Sequence, residues 1–214
     1  MKFQAVSTAA GLLLAGQALA APTPSPHMAR DGVKSAADLV AAISPNSVTC
    51  DGSAECRTAA QVGPLLADAM VKYGVYSPGQ IAGIIALTAY ESVDYRYKHN
   101  VSPGRPGQGT SNMQNYNFNL MYAQSFPELK DKTTSAGANP SADEMNAILA
   151  LVEPDEYNFG SGPWFLTTQC HPDVQEALKA GDDAGFEAYM GCVGVTLVKE
   201  RTDYWDRAKT AFGL

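Results

Sequence analysis

Apolar residues along the chain recur three and four positions apart, the spacing of helices, and seldom alternate as a strand requires. Ser35 precedes Ala36-Ala37-Asp38-Leu39-Val40, a short amphipathic stretch. Between Arg57 and Tyr73, the residues Val62, Leu65, Leu66, Ala69, Met70 and Tyr73 share one helical face, and Gly74 closes it. Ser77-Pro78-Gly79-Gln80 then offers an N-cap, a first-turn proline and a capping-box glutamine. The helix it opens, Ile81 to about Asp94, is nearly all apolar until its last turn, so it belongs at the centre of the fold. Helical patterning returns from Asn115 to Ser125, from Ser141 with its Glu144 capping box to Leu149, from Pro172 to Leu178, and from Thr196 to Phe212. The expected class is all-α, or mainly α with a small β/loop element, around that buried helix.

The ends and the charge add a compartment. A basic start at Lys2, an apolar run from Ala9 to Leu14 and small residues at Ala18-Leu19-Ala20-Ala21 read as a signal peptide over residues 1–20. The run is too short to span a bilayer. A Pro/Ser-rich spacer follows over 21–34, then a single domain over 35–214, and the expected location is extracellular. The net charge of −7, one unit more negative once Lys2 is removed, argues against nucleic acid or an anionic membrane as partner. Cys50, Cys56, Cys170 and Cys192 form an even set, which in a secreted chain reads as disulfides. Three pairings are possible on paper; the local one, Cys50–Cys56 with Cys170–Cys192, is favoured. There is no Cys-x-x-Cys pair and no His cluster, so neither a metal nor a cofactor is expected, and the chain is read as a monomer.

Candidate chemistry centres on Glu91, the first carboxylate after the apolar helix. A desolvated carboxyl there has its pKa raised, as a general acid requires. On that reading, replacing Glu91 by glutamine changes stability little. Asp94, three residues on, is the first choice for a second carboxylate, with Asp155 and Glu156 read as surface. Tyr90, Tyr95, Tyr97 and Tyr116 surround the acid and its loop, interleaved with Gln108, Asn112, Gln114 and Asn117. Any one of these alone reads more simply as core or loop; their density around one acid points to a carbohydrate cleft. His27, His99 and His171 are scattered without a metalloprotease motif, and Phe159 stands where a nucleophile elbow before Ser161 needs glycine.

Glu91-Ser92, a Gly-rich loop and Asn112-Met113-Gln114 resemble the lysozyme superfamily, goose-type lysozymes and lytic transglycosylases in particular. The stretch from Gly104 to Asn119 is also similar to plant-type chitinases. A closer resemblance is to secreted fungal muramidases often fused to an SH3-like wall-binding module. It rests on Cys50-Asp51-Gly52, Ala54 to Ala59, Pro103 to Gly109, and Tyr157-Asn158-Phe159-Gly160 through Trp164 to Cys170. The resemblance implies a lysozyme-like helical domain that cleaves peptidoglycan, or a related amino-sugar polymer, between N-acetylmuramic acid and N-acetylglucosamine. Glu91 is then the general acid, and Tyr157 and Trp164 join the substrate-binding set. A chitinase or chitosanase on the same scaffold, or a non-catalytic secreted binder, are the alternatives.

Overall fold

The structure, a computed structural model, describes residues 34–134, 137 and 139–214. The expected signal peptide, and all of the spacer but Lys34, lie outside the described residues. Residues 34–214 form one compact unit. Its helices are α1 (Ala36–Ile43), α2 (Ala59–Lys72), α3 (Pro78–Glu91), α4 (Tyr116–Gln124), α5 (Pro127–Lys130) and α6 (Ala142–Val152). They continue as α7 (Asp155–Asn158), α8 (Ser161–Gln169), α9 (Pro172–Lys179), α10 (Asp183–Cys192) and α11 (Lys199–Phe212). No strand occurs among the described residues, only isolated antiparallel bridges of Gly109 with His99 and with Gln114. The all-α class and the disulfide staples are therefore as expected.

The local signals act where the sequence places them. Ser35 and Asp38 close a reciprocal capping box at the start of α1, and Ser141 with Glu144 does the same for α6. The Ser77 signal works differently: its hydroxyl donates to the Lys179 carbonyl, and Gln80 Nε2 donates to the Gln175 carbonyl. Both side chains tie α3 to α9 instead of capping α3. Burial explains the choice, since the first turn of α3 already lies against α9. A Cβ at Gly79 would fall 2.4 Å from the Leu178 carbonyl oxygen, so only glycine allows this approach.

From Gly79 to Ala89, α3 is buried on nearly every face, and α11, α9, α8 and α1 pack around it. Beside it, Trp205 of α11 and Phe186 of α10 stack with ring centroids 4.5 Å apart. Cys50–Cys56 and Cys170–Cys192 are bridged. Four helices escape the sequence pattern: the single turns α5 and α7, α8, whose Gly162 and Pro163 read as turn residues, and α10, interrupted by Gly185 and Gly191. Proline is tolerated in the first turn of α8, where its missing N–H has no helical partner anyway.

Candidate functional site

The central helix ends at Glu91, three residues before the expected stop. Ser92 caps it, donating from its hydroxyl to Thr88 O (2.6 Å) and accepting the Tyr95 N–H (2.9 Å). Val93, Asp94 and Tyr95 then all take left-handed backbone angles, with φ of 53°, 59° and 61°. For side chains other than glycine this costs about 1–2 kcal/mol per residue. The conformation is held by hydrogen bonds from Asp94 N–H to Ala89 O (2.8 Å) and from Tyr97 N–H to Ser92 O (3.1 Å).

This left-handed turn separates the two carboxylates that a continued helix would have placed on adjacent faces. Asp94 is buried, and its carboxylate accepts from the Ser44 hydroxyl, from Asn46 Nδ2 (3.0 Å) and from the Tyr204 hydroxyl (2.8 Å). It joins the end of α1 to α11 and does not border the groove beside Glu91.

Glu91 borders an open groove of about 640 Å³ between the end of α3, the 97–113 loop and α11. Its Oε1 accepts from Arg201 Nη2 at 2.6 Å. The same guanidinium lies 4.5 Å from the centre of the Tyr90 ring, which meets Tyr204 edge-on at 5.9 Å. Burial, and secondarily the Glu91 charge, push the Tyr189 phenol well above its ordinary range. A smaller polar lobe of about 220 Å³ shares Glu91, Gln108 and Met113 with the groove and continues toward Val193–Val195.

The other sequence-chosen residues divide three ways. Tyr90, Tyr97 and Gln108 line the main groove, while Gln108, Asn112 and Gln114 line the lobe. Tyr116 and Asn117 border a separate shallow recess with Arg105 and Met145. Tyr95, Tyr157 and Trp164 lie elsewhere. Tyr95 is buried against Phe159, Trp164 packs on Tyr122 in the core, and the Tyr157 ring packs on Phe126. Glu200, Arg201 and Tyr204 of α11 went unchosen, because nothing along the chain links them to a residue more than a hundred positions earlier. Their one signal is the mixed charged and aromatic face of α11 at helical spacing.

The loop is fixed by its own backbone. Thr110 N–H donates to Lys98 O (2.7 Å), Asn100 N–H to Gln108 O (2.9 Å) and Gly109 N–H to Gln114 O (3.0 Å). A Cβ at Gly109 would lie 2.4 Å from Lys98 O, so this close pairing needs glycine. Asn100, the acceptor of the Asn-Val-Ser sequon, holds the loop too: Oδ1 accepts from Gly104 N–H and Nδ2 donates to Gln108 Oε1. Beneath it, Lys98 Nζ and Arg57 Nε each reach Asp155 at 2.6 Å. Burial alone would raise the Asp155 carboxyl; the hydrogen bonds and charges of Arg57 and Lys98 outweigh it and hold that carboxyl below its usual range. His99 Nδ1 meets Glu55 Oε1 at 2.8 Å.

Among the described residues no cluster of three or more His, Cys, Asp or Glu is placed to hold a metal ion. All four cysteines are bridged, His99 is turned to Glu55, and His171 caps α9.

No protein-family model matches the chain, and no solved structure matches it. A curated protein from Fusarium oxysporum (strain Fo5176), named a bifunctional dioxygenase (DOX)-epoxy alcohol synthase (EAS), is 48% identical over 157 residues. The match takes in 72% of this chain and 12% of that protein, so the chain spans about an eighth of the relative's length.

This relative overturns the muramidase assignment, and with it glycoside hydrolysis, the peptidoglycan or amino-sugar partner, and the chitinase and lysozyme-like binder alternatives. The relative is named for oxygen chemistry, and no lysozyme-like structure matches. The residues that suggested the cleft are also not gathered as the resemblance implied. Glu91 is paired with an arginine, Asp94 faces away, and three of the expected aromatic contacts are spent on packing.

Proposed function

We propose that this unit is a ligand-binding module for an oxygenated, otherwise apolar chain of the hydroperoxide or epoxy alcohol class, held in the groove beside Glu91. The observation that carries the reading is the mixed lining of that groove. Val93, Val101, Met113 and the tyrosine rings offer apolar contact, while Glu91 and the hydroxyls of Tyr90 and Tyr97 offer hydrogen bonds. A hydrocarbon chain bearing a few oxygens needs both, whereas a plain hydrocarbon would leave the polar groups desolvated and unpaired. The relative's name supplies the ligand class, since an epoxy alcohol is what such a synthase releases.

The redox chemistry itself is not assigned to this unit. Among the described residues no group of three or more His, Cys, Asp or Glu is placed to hold a metal ion, and the four cysteines, His99 and His171 are each engaged within the fold. The part left to the groove is to bind a ligand and orient it.

Extracellular location belongs to the same proposal. It is supported by the leader-like N-terminal sequence and by two disulfides, which persist in oxidising compartments.

Calorimetric titration of the full chain with a long-chain epoxy alcohol, beside its unoxygenated parent, tests the reading. Binding of the epoxy alcohol at least about tenfold tighter than the parent is expected, the equivalent of one well-made hydrogen bond. Equal affinity for the two, or no binding of either, overturns it.

A further inference from the structure

One histidine bordering the main groove is held in the way a general base is held. His99 Nδ1 lies 2.8 Å from Glu55 Oε1, and the Lys98 N–H donates to Glu55 Oε2, also at 2.8 Å. The second bond fixes the carboxylate that orients the ring. A carboxylate only accepts, so in the neutral imidazole Nδ1 carries the proton and the lone pair stands at Nε2.

The backbone of His99 settles which part of the residue meets the groove. It pairs with Gly109, while the side chain is 45% exposed and the residue borders the groove. The imidazole is therefore the part left open, and with Nδ1 turned to Glu55 its free nitrogen is Nε2. The other groups of the groove are engaged differently. Glu91 is closed on Arg201, and the Tyr204 hydroxyl is given to Asp94. The hydroxyls of Tyr90 and Tyr97 border the same groove as weak acids. An oriented base, nearby O–H donors and an open groove that admits water suit the addition of water to a strained ring ether.

We infer that the groove also hydrates the ligand it binds, His99 acting as the general base that activates water against the epoxide of an epoxy alcohol. Nε2 takes a proton from water as the water oxygen bonds to an epoxide carbon, and the bond from that carbon to the epoxide oxygen breaks. The released alkoxide takes a proton from a tyrosine hydroxyl, and the imidazolium returns its proton through solvent to the phenolate. The net change is the addition of water, epoxy alcohol to triol, with nothing oxidised or reduced. Glu55 is a positioning residue: it holds the tautomer whose lone pair faces outward and stabilises the imidazolium as it forms. This rests on the ligand class proposed above and goes beyond the binding role.

The test incubates the full chain with the long-chain epoxy alcohol in isotopically labelled water, with triol measured by mass spectrometry and affinity by calorimetry. Triol carrying one labelled oxygen is expected. His99→Ala should lower the rate by at least about a hundredfold while the ligand still binds, and imidazole added to the buffer should restore part of it. Glu55→Gln should lower kcat with KM nearly unchanged, a split that loosening of the loop would not produce. Binding without triol overturns the inference and leaves the ligand reading standing. Binding of nothing overturns both. Triol formed as fast by a folded His99→Ala protein removes the base from His99. Should that variant not fold, Glu55→Gln decides, and an undiminished kcat there overturns the inference.

Discussion

Arg201 Nη2 lies 2.6 Å from Glu91 Oε1, joining the last residue of α3 to the first turn of α11 across 110 positions of sequence. Both side chains are largely buried, at 12% and 18% exposed. The pair changes what Glu91 is for. A carboxylate that closes an ion pair with a guanidinium is a strut between two helices and a wall of the groove.

Arg201→Met should cost about 2–3 kcal/mol, between the value for breaking a buried pair and that for an exposed one. Glu91→Gln should cost less, about 1–2 kcal/mol, because the amide oxygen still accepts from Arg201 while the arginine loses its counter-charge. This corrects the expectation from the sequence that Glu91→Gln leaves stability unchanged. Urea unfolding of both single variants and the double variant checks it. A coupling near zero would show that the pair contributes nothing.

Asp94→Asn isolates the three donors around that carboxylate. Asparagine is among the few residues that tolerate the left-handed backbone at 94, so the change leaves the φ of 59° undisturbed. It replaces one acceptor oxygen by an N–H₂ facing the hydroxyls and amide of Ser44, Tyr204 and Asn46. The expected loss is about 2 kcal/mol, seen as a melting temperature lower by several degrees. Ligand binding in the groove should be nearly unchanged, because Asp94 does not line it.

Glu153 makes stability depend on pH. Burial, and then the nearby Glu55 carboxylate, raise its pKa, against the weaker pull of His99 and Lys98. The folded carboxyl therefore holds its proton more tightly than the unfolded one. Its contribution is full below the unfolded value of about 4.3 and is lost as the pH rises through the folded value. Glu153→Gln should stabilise the protein at pH 7 by about 0.5 kcal/mol, a small figure because solvent screens a half-buried group. The gain should vanish by about pH 4. Thermal melts of both proteins across that range give the answer, and a gain independent of pH would contradict it.

Removing the Cys170–Cys192 bridge by replacing both cysteines with alanine should cost about 3 kcal/mol, as a loop of this length implies. The same bridge holds the start of the Val193–Val195 segment, which borders the polar lobe. Affinity for an epoxy alcohol should fall in the variant even at temperatures where it remains folded. Unchanged affinity would show that the segment is positioned without the bridge.

Helix content, the burial of α3 and the two local disulfides were legible in the sequence, because each depends on short spacing. A 3.6-residue repeat, a capping serine or a cysteine six positions from its partner acts over a few turns of chain. Tyr90, Glu91, Tyr97, Gln108, Asn112 and Gln114 were legible as neighbours of a common cleft for the same reason, being close in sequence. What borders them from the far side was not. Arg201 reaches Glu91, and Tyr204 and Glu200 border the same groove, only because α11 packs along α3, and packing is a property of faces that no local pattern pairs. The direction of Asp94 was hidden too, because it hangs on three left-handed residues that the surrounding hydrogen bonds impose against their own preference. The side-chain amides of Gln114 and Asn119 likewise take their sense from two backbone carbonyls, Gly107 O and Gln114 O, that only the folded loop brings within reach of Asn119 Nδ2. Local composition decided which helices form; the tertiary contacts decided which side chains face one another, and therefore what the groove can bind.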